Sequence, residues 1–300
     1  MNKQRLNEGD AVNSDNTQPA RGVFERPAES FAFDERVIGW ILSDEANPLN
    51  RIAQSIPQGA QVLDIGAGNG VLARLLARLG REVVLDAVEP DLAAREFSGG
   101  LYRHMFPVNL EDFLSTACAG EQKYDVIVLA DVVEHLANPE PHLVALKSKL
   151  TDHGFIALST PNIAFASVRL ALLDGRFDYV NSGILERTHL RFYTQKTLKQ
   201  LFEVVGLYPA NEFHCLRDPL AMEINLDGIS MPLGTLARIG QDELAFVYQF
   251  LFLLTRSNQG SIKRVTLGSG GGGLTRNYIV RRVLQLLRKI KGGLRPKISR

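Results

Sequence analysis

The chain has 300 residues, of which 45% are hydrophobic and 22% charged, enough for one large or two small domains with a real core. Its two cysteines, Cys118 and Cys215, are too few for a disulfide scaffold or a cysteine-only zinc site, which favours a reducing compartment. The first residues contain no apolar segment of a secretory signal, and no apolar run reaches the roughly 18 residues of a membrane span. We therefore expect a cytoplasmic protein.

Charge is unevenly distributed along the chain, although the formal net charge is only +1. Residues 274–300 contain nine of the 34 Lys and Arg and no acidic residue, so the rest of the chain is acidic. On a helical wheel, the apolar residues of this segment fall on one side and most basic residues on the other. We predict a basic amphipathic tail over 274–300, attached through a Gly-rich linker over 263–273.

The predicted tail suits the anionic inner face of a membrane, which would make the protein peripheral there. Two alternatives stay open. The apolar side could instead pack on the acidic body or on a second subunit, or the basic side could bind nucleic acid. Nucleic acid is not expected as a partner, because the apolar side has no role in it and the body is acidic.

The rest of the chain alternates between predicted strands and helices. Residues 1–30 are polar and predict a disordered arm, and apolar spacing predicts a helix over 33–44. Thr194 and Gly206 are typical of the first and last residues of a helix between them. Four apolar runs, each followed by a helical pattern or helix signal, predict parallel strands: "AQVLDI", "EVVLDAVE", "YDVIVLA" and "GFIALST". Two late runs, "LYPANEFHCL" and "LAFVYQFLFLL", predict two strands joined by a long loop.

The segment "QVLDIGAGNG" (61–70) places three glycines directly after the first strand. Gly66, Gly68 and Gly70 let the main chain turn sharply and let a ligand approach the following helix. Asp64, just before them, would oppose a bound anion and suits a cation. Glu89 ends the second strand, where a carboxylate can accept hydrogen bonds from both hydroxyls of a ribose.

The motifs "VLDIGAGNG", "VEPD" and "YDVIVLADVVEHL", in this order and spacing, resemble class I S-adenosylmethionine (SAM) methyltransferases. The resemblance extends to ubiquinone-pathway O-methyltransferases and to methyltransferases of surface-polysaccharide gene clusters. It implies an α/β Rossmann-like, seven-stranded, mostly parallel sheet with a terminal antiparallel hairpin, within a methyltransferase domain over 31–262. It also implies the residues that bind SAM: Asp64, Gly66, Gly68 and Gly70 at the methionine end, Glu89 at the ribose, Asn109 at the adenine, and Leu110 and Asp131 beside them.

"ADVVEHL" contains a group of polar side chains that allows two interpretations. Asp131, Glu134 and His135 would share one face of a helix, where Asp131 and Glu134 could form a capping box. Alternatively, the resemblance implies a divalent metal held by Asp131, Glu134, His135 and the later His189 of "ERTHLRF". Such ligands suit Zn, Mn or Fe better than Mg. Glu134 and His135 are also the candidate catalytic residues, because a hydroxyl acceptor must lose its proton to a base or through a metal.

Residues 159–194 and 216–243 are predicted insertions on the acceptor side of the domain. Four aromatic residues of the first are expected either to line an apolar pocket, with Arg187 and Arg191 at its edge, or to pack in the core: Phe165, Phe177, Tyr179 and Phe192. The leading hypothesis is SAM-dependent O-methylation of a small-molecule or glycan hydroxyl, on an acceptor that could be lipid-linked. The alternatives are an RNA 2′-O-methyltransferase and a non-catalytic SAM-binding regulatory protein.

Overall fold

The computed structural model describes residues 34–98, 100–115, 121–229, 232–258, 260 and 263–267. The predicted arm over 1–30, the linker residues 268–273 and the tail over 274–300 lie outside these residues. None of the helices in the described segments is long and apolar enough to cross a membrane.

Helices and strands alternate through most of the described chain. The α-helices are α1 (Glu35–Ser43), α2 (Pro48–Ser55), α3 (Val71–Arg78), α4 (Leu92–Ser98), α5 (Leu110–Ser115), α6 (Pro139–Ser148), α7 (Ala166–Leu173), α8 (Gln195–Val205) and α9 (Leu233–Gln241). The strands are β1 (Gln61–Ile65), β2 (Val84–Val88), β3 (His104–Phe106), β4 (Tyr124–Ala130), β5 (Leu150–Pro161), β6 (Tyr208–Leu216), β7 (Val247–Thr255) and β8 (Lys263–Leu267). Two 3₁₀ turns cover Val133–His135 and Glu243–Phe246.

One sheet carries all eight of these strands, in the order β3-β2-β1-β4-β5-β7-β6-β8. Strands β3, β2, β1, β4 and β5 are parallel, and β7 runs antiparallel to both β5 and β6. The predicted Rossmann-like class, with its antiparallel hairpin, is confirmed. Strand order reverses between β1 and β4, and in such sheets ligands bind at the carboxyl ends of the strands beside this point.

The sheet has one strand more than predicted. The prediction of a linker from residue 263 is wrong for Lys263–Leu267, which pairs in parallel with residues 211–215 of β6. The open edge of β6 offers backbone hydrogen-bonding groups to such a strand, and Arg264 of β8 reaches the buried Glu212 of β6 at 3.4 Å. Glycine content alone does not reveal this pairing, because the partners are about 50 residues apart in sequence.

Apolar side chains fill both faces of the sheet. In β4, Val126 and Val128 pack in one core cluster and Ile127 and Leu129 in the other, as the alternation of a strand requires. Helices α1, α2 and α3 cover the first face, and α5, α6 and α8 cover the second. The central strands are therefore buried on both sides and present only their ends to a ligand.

Local signals account for the ends of α8. Thr194 and Thr197 form a reciprocal capping box, and Gly206 ends the helix with a left-handed backbone. Both predicted ends of this helix are confirmed. The helix predicted over 33–44 is also confirmed as α1, with the Asp34 carboxylate accepting from the backbone NH of Arg36.

Candidate active site

The glycine loop turns the chain from β1 into α3 at the carboxyl edge of the sheet. Gly66, Gly68 and Gly70 have φ angles of +69°, +53° and +77°, a left-handed backbone that L-residues rarely adopt. An added Cβ on Gly70 would lie 2.7 Å from Leu101 Cδ1, whereas one on Gly68 would meet no protein atom within 4 Å. Gly70 is thus required by packing, and Gly68 faces the open space that a ligand needs.

Two buried carboxylates lie behind this loop. Asp64 accepts a hydrogen bond from the Tyr102 hydroxyl at 2.8 Å, and Glu89 accepts from the backbone NH groups of Gly68 (2.7 Å) and Asp91 (2.9 Å). Burial raises the pKa of Asp64 to about 7, with a smaller contribution from the charge of Glu89 against the opposing Tyr102 bond. No described residue forms a salt bridge with either carboxylate. A cationic ligand fits this pair.

Asn109 directly precedes α5 and Leu110 is its first residue; their contacts with the cofactor stay predictions. Asn109 lies beyond the end of β3 at Phe106, and its Oδ1 accepts from the backbone NH of Asp112 at 2.8 Å, at the start of α5. The Leu110 side chain is buried in the main core cluster. A contact between Leu110 and a cofactor would therefore involve its backbone and not its side chain.

The segment after β4 is not the predicted α-helix. Asp131 has φ +56°, and a short 3₁₀ turn follows at Val133–His135. The predicted capping box is wrong as well: Asp131 Oδ1 accepts from Ser159 Oγ (3.1 Å) and Gln249 Nε2 (2.6 Å). The donors to the Asp131 carboxylate thus come from side chains of β5 and β7, and not from the backbone of the segment that follows it.

Three side chains of the predicted metal group come together. Glu134, His135 and His189 each offer a ligand atom, and these atoms lie within 4.8 Å of one another. Asp131 lies outside this group, and its Oδ1 accepts from Ser159 and Gln249, so its role as a fourth ligand stays a prediction. The two imidazole rings meet edge-on with centroids 4.8 Å apart.

Backbone carbonyls determine how both imidazoles are presented. His135 Nδ1 lies 3.2 Å from the Thr188 carbonyl oxygen, and His189 Nδ1 lies 2.9 Å from the Ile184 carbonyl oxygen. A carbonyl only accepts, so Nδ1 carries the hydrogen in each neutral ring and Nε2 keeps its lone pair. Each ring is therefore oriented to act as a base or as a metal ligand through Nε2.

Acidic groups are concentrated around this cluster. Glu134 is buried; its Oε2 accepts from Thr160 Oγ1 at 3.1 Å, and its Oε1 has no hydrogen-bond partner in the part of the chain that the structure describes. Burial, followed by the charges of Asp131 and Glu186, raises the pKa of Glu134 well above its usual range. The pKa of Asp131 is also raised, first because the surrounding protein desolvates its carboxylate. Adding a cation would relieve both penalties.

Aromatic side chains lead from the surface to His189. Phe177 contacts Tyr179 and Phe192 edge-on, with centroids 5.4 Å and 5.6 Å apart, and Phe192 lies 6.3 Å from His189. Phe177 and Tyr179 remain 36% and 51% exposed. Phe165, in contrast, is fully buried against Tyr248, so for this residue the core alternative is confirmed.

The two predicted insertions contact each other beside the aromatic row. Glu223, from the second, accepts from the backbone NH of Ile184 at 2.8 Å and from the Tyr248 hydroxyl at 3.1 Å. Arg187 and Arg191 are exposed, and Arg191 donates to the Ala137 carbonyl. These bonds fix the loop that carries His189.

Comparison with known proteins gives the family. A sequence model described as a methyltransferase domain matches residues 43–211. The ubiquinone biosynthesis O-methyltransferase of Dinoroseobacter shibae is 34% identical over 178 residues, which are 56% of this chain and 68% of that protein. The enzyme of the same name from Roseobacter denitrificans is 32% identical over 57% of this chain and 69% of its own length. The chain belongs to the class I SAM-dependent methyltransferases. A SAM-dependent methyltransferase from Archaeoglobus fulgidus shares the fold at a TM-score of 0.51 and 18% identity, covering 75% of this chain and 96% of that one.

The two halves of the site touch in this methyltransferase. An added Cβ on Gly66 would lie 3.0 Å from Val132 Cγ2, so the glycine loop and the segment before Glu134 are in contact. The left-handed loop and the two carboxylates without a described salt bridge fit SAM, whose sulfonium and ammonium groups are cations.

Sequence reasoning missed two residues of the methyltransferase site. Tyr102 donates to Asp64, and Glu186 is a buried acid that accepts from Thr188 Oγ1 at 2.6 Å. Glu186 lies in the "ERTHLRF" segment that was considered for its histidine, so the signal was available. Tyr102 is 38 residues from Asp64, and no sequence pattern indicated their contact.

Proposed function

We propose that the methyltransferase transfers the SAM methyl group to a hydroxyl oxygen of a small-molecule or glycan acceptor, with a divalent metal at Glu134, His135 and His189. The observation that carries this proposal is the close approach of the three ligand atoms, together with the buried Glu134 Oε1, which has no hydrogen-bond partner among the described residues. The names of the similar O-methyltransferases support a hydroxyl acceptor. A carbon or sulfur acceptor would not need this cluster.

The donor set fits a transition metal. Two imidazoles and one carboxylate favour Zn, Mn or Fe over Mg, and the carbonyls of Thr188 and Ile184 orient the rings as the outer contacts of a metal site do. A metal bound there would lower the pKa of an acceptor hydroxyl. Glu134 and the two rings would hold it, and Glu186 would add negative charge close by.

The reaction needs alignment and removal of one proton. The acceptor oxygen attacks the SAM methyl carbon in line with the departing sulfur, the carbon–sulfur bond breaks, and neutral S-adenosylhomocysteine leaves. With a metal bound, the metal would acidify the hydroxyl and its proton would pass to solvent, because His135 Nε2 would be a ligand. Without a metal, the lone pair of His135 Nε2 would accept the proton. Asp64 and Glu89 would hold the cofactor on the other side of the cleft.

The aromatic row supports an acceptor with an apolar or aromatic face. Phe177 and Tyr179 are exposed beside Phe192 and His189. A group of apolar side chains that stays exposed together is typical of a binding site. Stacking on these rings suits a phenol or the apolar face of a sugar ring.

Metal removal tests the catalytic part. Dialysis against a chelator is expected to abolish turnover, and elemental analysis should find metal in the wild type and less of it in His189→Ala. His153→Ala is the matched control, because His153 is exposed on β5. Full activity after chelation, with no metal detected, would leave His135 as a simple base.

Radiolabelled SAM tests the acceptor. Extracted cellular lipids, glycans, small molecules and RNA are incubated separately with the enzyme, and label is expected in a hydroxyl-bearing small molecule, glycan or lipid-linked fraction. Label confined to RNA would contradict the proposed acceptor.

We also propose that the tail over 274–300 binds an anionic membrane surface and brings the enzyme to a lipid-linked acceptor. This proposal rests on the amphipathic sequence pattern, since the tail lies outside the described residues. The full chain is expected to float with anionic but not neutral vesicles, and a 1–267 truncation, which keeps β8, is expected not to. Equal binding by both chains would contradict it.

A further inference from the structure

Tyr102 is held in place from both sides. The residue before it, Leu101, packs against the glycine loop at Gly70. The residue after it, Arg103, forms two hydrogen bonds of 2.9 and 2.6 Å with the buried Asp86 of β2. Between these anchors the Tyr102 hydroxyl reaches Asp64 at 2.8 Å. The contact is therefore built into the fold and does not depend on a freely rotating surface side chain.

The charged surroundings of Asp64 are unfavourable for a carboxylate. Glu89, at the end of β2, adds a second negative charge, and Tyr102 supplies a neutral donor. Arg74 of α3 acts on Tyr102 from a distance, while its guanidinium donates to the Phe97 carbonyl and lies 3.9 Å from Glu35. The Tyr102 hydroxyl is thus the one hydrogen-bond donor to Asp64 identified among the described side chains.

We propose that Tyr102 is a positioning residue of the cofactor site: its hydroxyl favours the ionised form of Asp64, and SAM binding is coupled to the loss of a proton from Asp64. In the free protein Asp64 shares a buried site with Glu89 and one neutral donor, so protonation relieves the repulsion between the two acids. The cationic groups of SAM favour the carboxylate instead. The proton that leaves Asp64 goes to the buffer.

This coupling makes SAM affinity depend on pH. The pKa of Asp64 is about 7 in the free protein, so binding at pH 7 is expected to release roughly half a proton, and at pH 6 roughly 0.9. Affinity should fall by nearly tenfold per pH unit below 7 and level off above 8. Calorimetric titration with SAM, repeated in buffers of different ionisation enthalpy, measures the released protons directly. The same titrations on Asp64→Asn provide the baseline, including the titration of SAM itself.

Tyr102→Phe tests the hydroxyl while keeping the ring. Without the hydroxyl, the midpoint of the pH dependence should move to higher pH, and SAM should bind about three- to tenfold more weakly at pH 7. The difference from wild type should shrink towards pH 9, where Asp64 ionises in both. Tyr208→Phe, at an exposed tyrosine of β6, is the control for a lost hydroxyl.

Three results would overturn the proposal. Tyr102→Phe could bind SAM as the wild type does at every pH, or it could lose the same affinity at pH 6 and pH 9, which indicates a packing role only. Wild type and Asp64→Asn could also release equal numbers of protons. Melting curves of each variant without SAM identify any variant that fails to fold. If Tyr102→Phe fails to fold, the number of protons released by wild type and by Asp64→Asn across pH still tests the proposal.

Discussion

Alanine substitutions at glycines around α3 separate backbone strain from packing and from cofactor binding. Gly68, Gly70 and Gly80 all have a left-handed backbone, which costs an L-residue about 1–2 kcal/mol. Gly80 follows α3, is exposed, and an added Cβ there meets nothing within 4 Å. Gly80→Ala should therefore lose only this strain, about 1–2 kcal/mol of the free energy of unfolding.

Gly70→Ala adds a steric cost to the same strain. Its Cβ would lie 2.7 Å from Leu101 Cδ1 and 3.1 Å from Ser98 Cβ. The Leu101 methyl can move, but Ser98 is fully buried in α4. Overpacking of this kind costs about 1–3 kcal/mol, so at roughly 2–4 °C per kcal/mol Gly70→Ala should melt about 2–12 °C below Gly80→Ala.

Gly68→Ala is expected to lower SAM affinity without a steric cost to folding. Its Cβ meets no protein atom within 4 Å, so it should melt close to Gly80→Ala. The new methyl group points into the cleft, and SAM affinity should fall at least about tenfold, or 1.4 kcal/mol. Thermal unfolding without SAM and calorimetric titration with SAM measure the two effects. Equal melting of Gly70→Ala and Gly80→Ala, or unchanged SAM affinity in Gly68→Ala, would refute this reasoning.

Three further predictions concern stability and acceptor binding. Burial acts to raise the pKa of Glu212, but hydrogen bonds from neighbours including His214 hold it at about 2. The folded pKa lies below the unfolded one, so this stabilisation, at most about 3 kcal/mol, is present above pH 4.5 and is lost as the pH falls towards 2. Urea unfolding of Glu212→Gln should lack this acid dependence, and an unchanged dependence would contradict the prediction. Phe177→Ala should raise the acceptor KM several-fold without changing SAM affinity; a loss of SAM affinity in calorimetry would argue against an acceptor role. Asn162→Leu removes the donor to the Leu244 and Val247 carbonyls and should cost about 2–4 kcal/mol in denaturant unfolding, whereas a loss below about 0.5 kcal/mol would show that these carbonyls find other donors.

The sequence alone determined the features that depend on neighbours in the chain. The glycine loop could be predicted because a left-handed backbone favours glycine over other residues wherever it occurs. The ends of α8 could be predicted because a cap is made by residues within one helical turn. The parallel sheet followed from the alternation of apolar runs and helical patterns, and the motif order identified the family.

Only the tertiary structure decided which polar groups meet in the cleft. The partners of Asp131, Ser159 and Gln249, are 28 and 118 residues away, and His135 bonds to a carbonyl 53 residues on. The predicted capping box was reasonable for an isolated segment, but donors from β5 and β7 replaced it. Strand β8 could not be predicted for the same reason. It is stabilised by pairing with the open edge of β6, which lies far away in the sequence. Contacts between distant residues depend on how strands are ordered in the sheet, and no local pattern of residues contains that order.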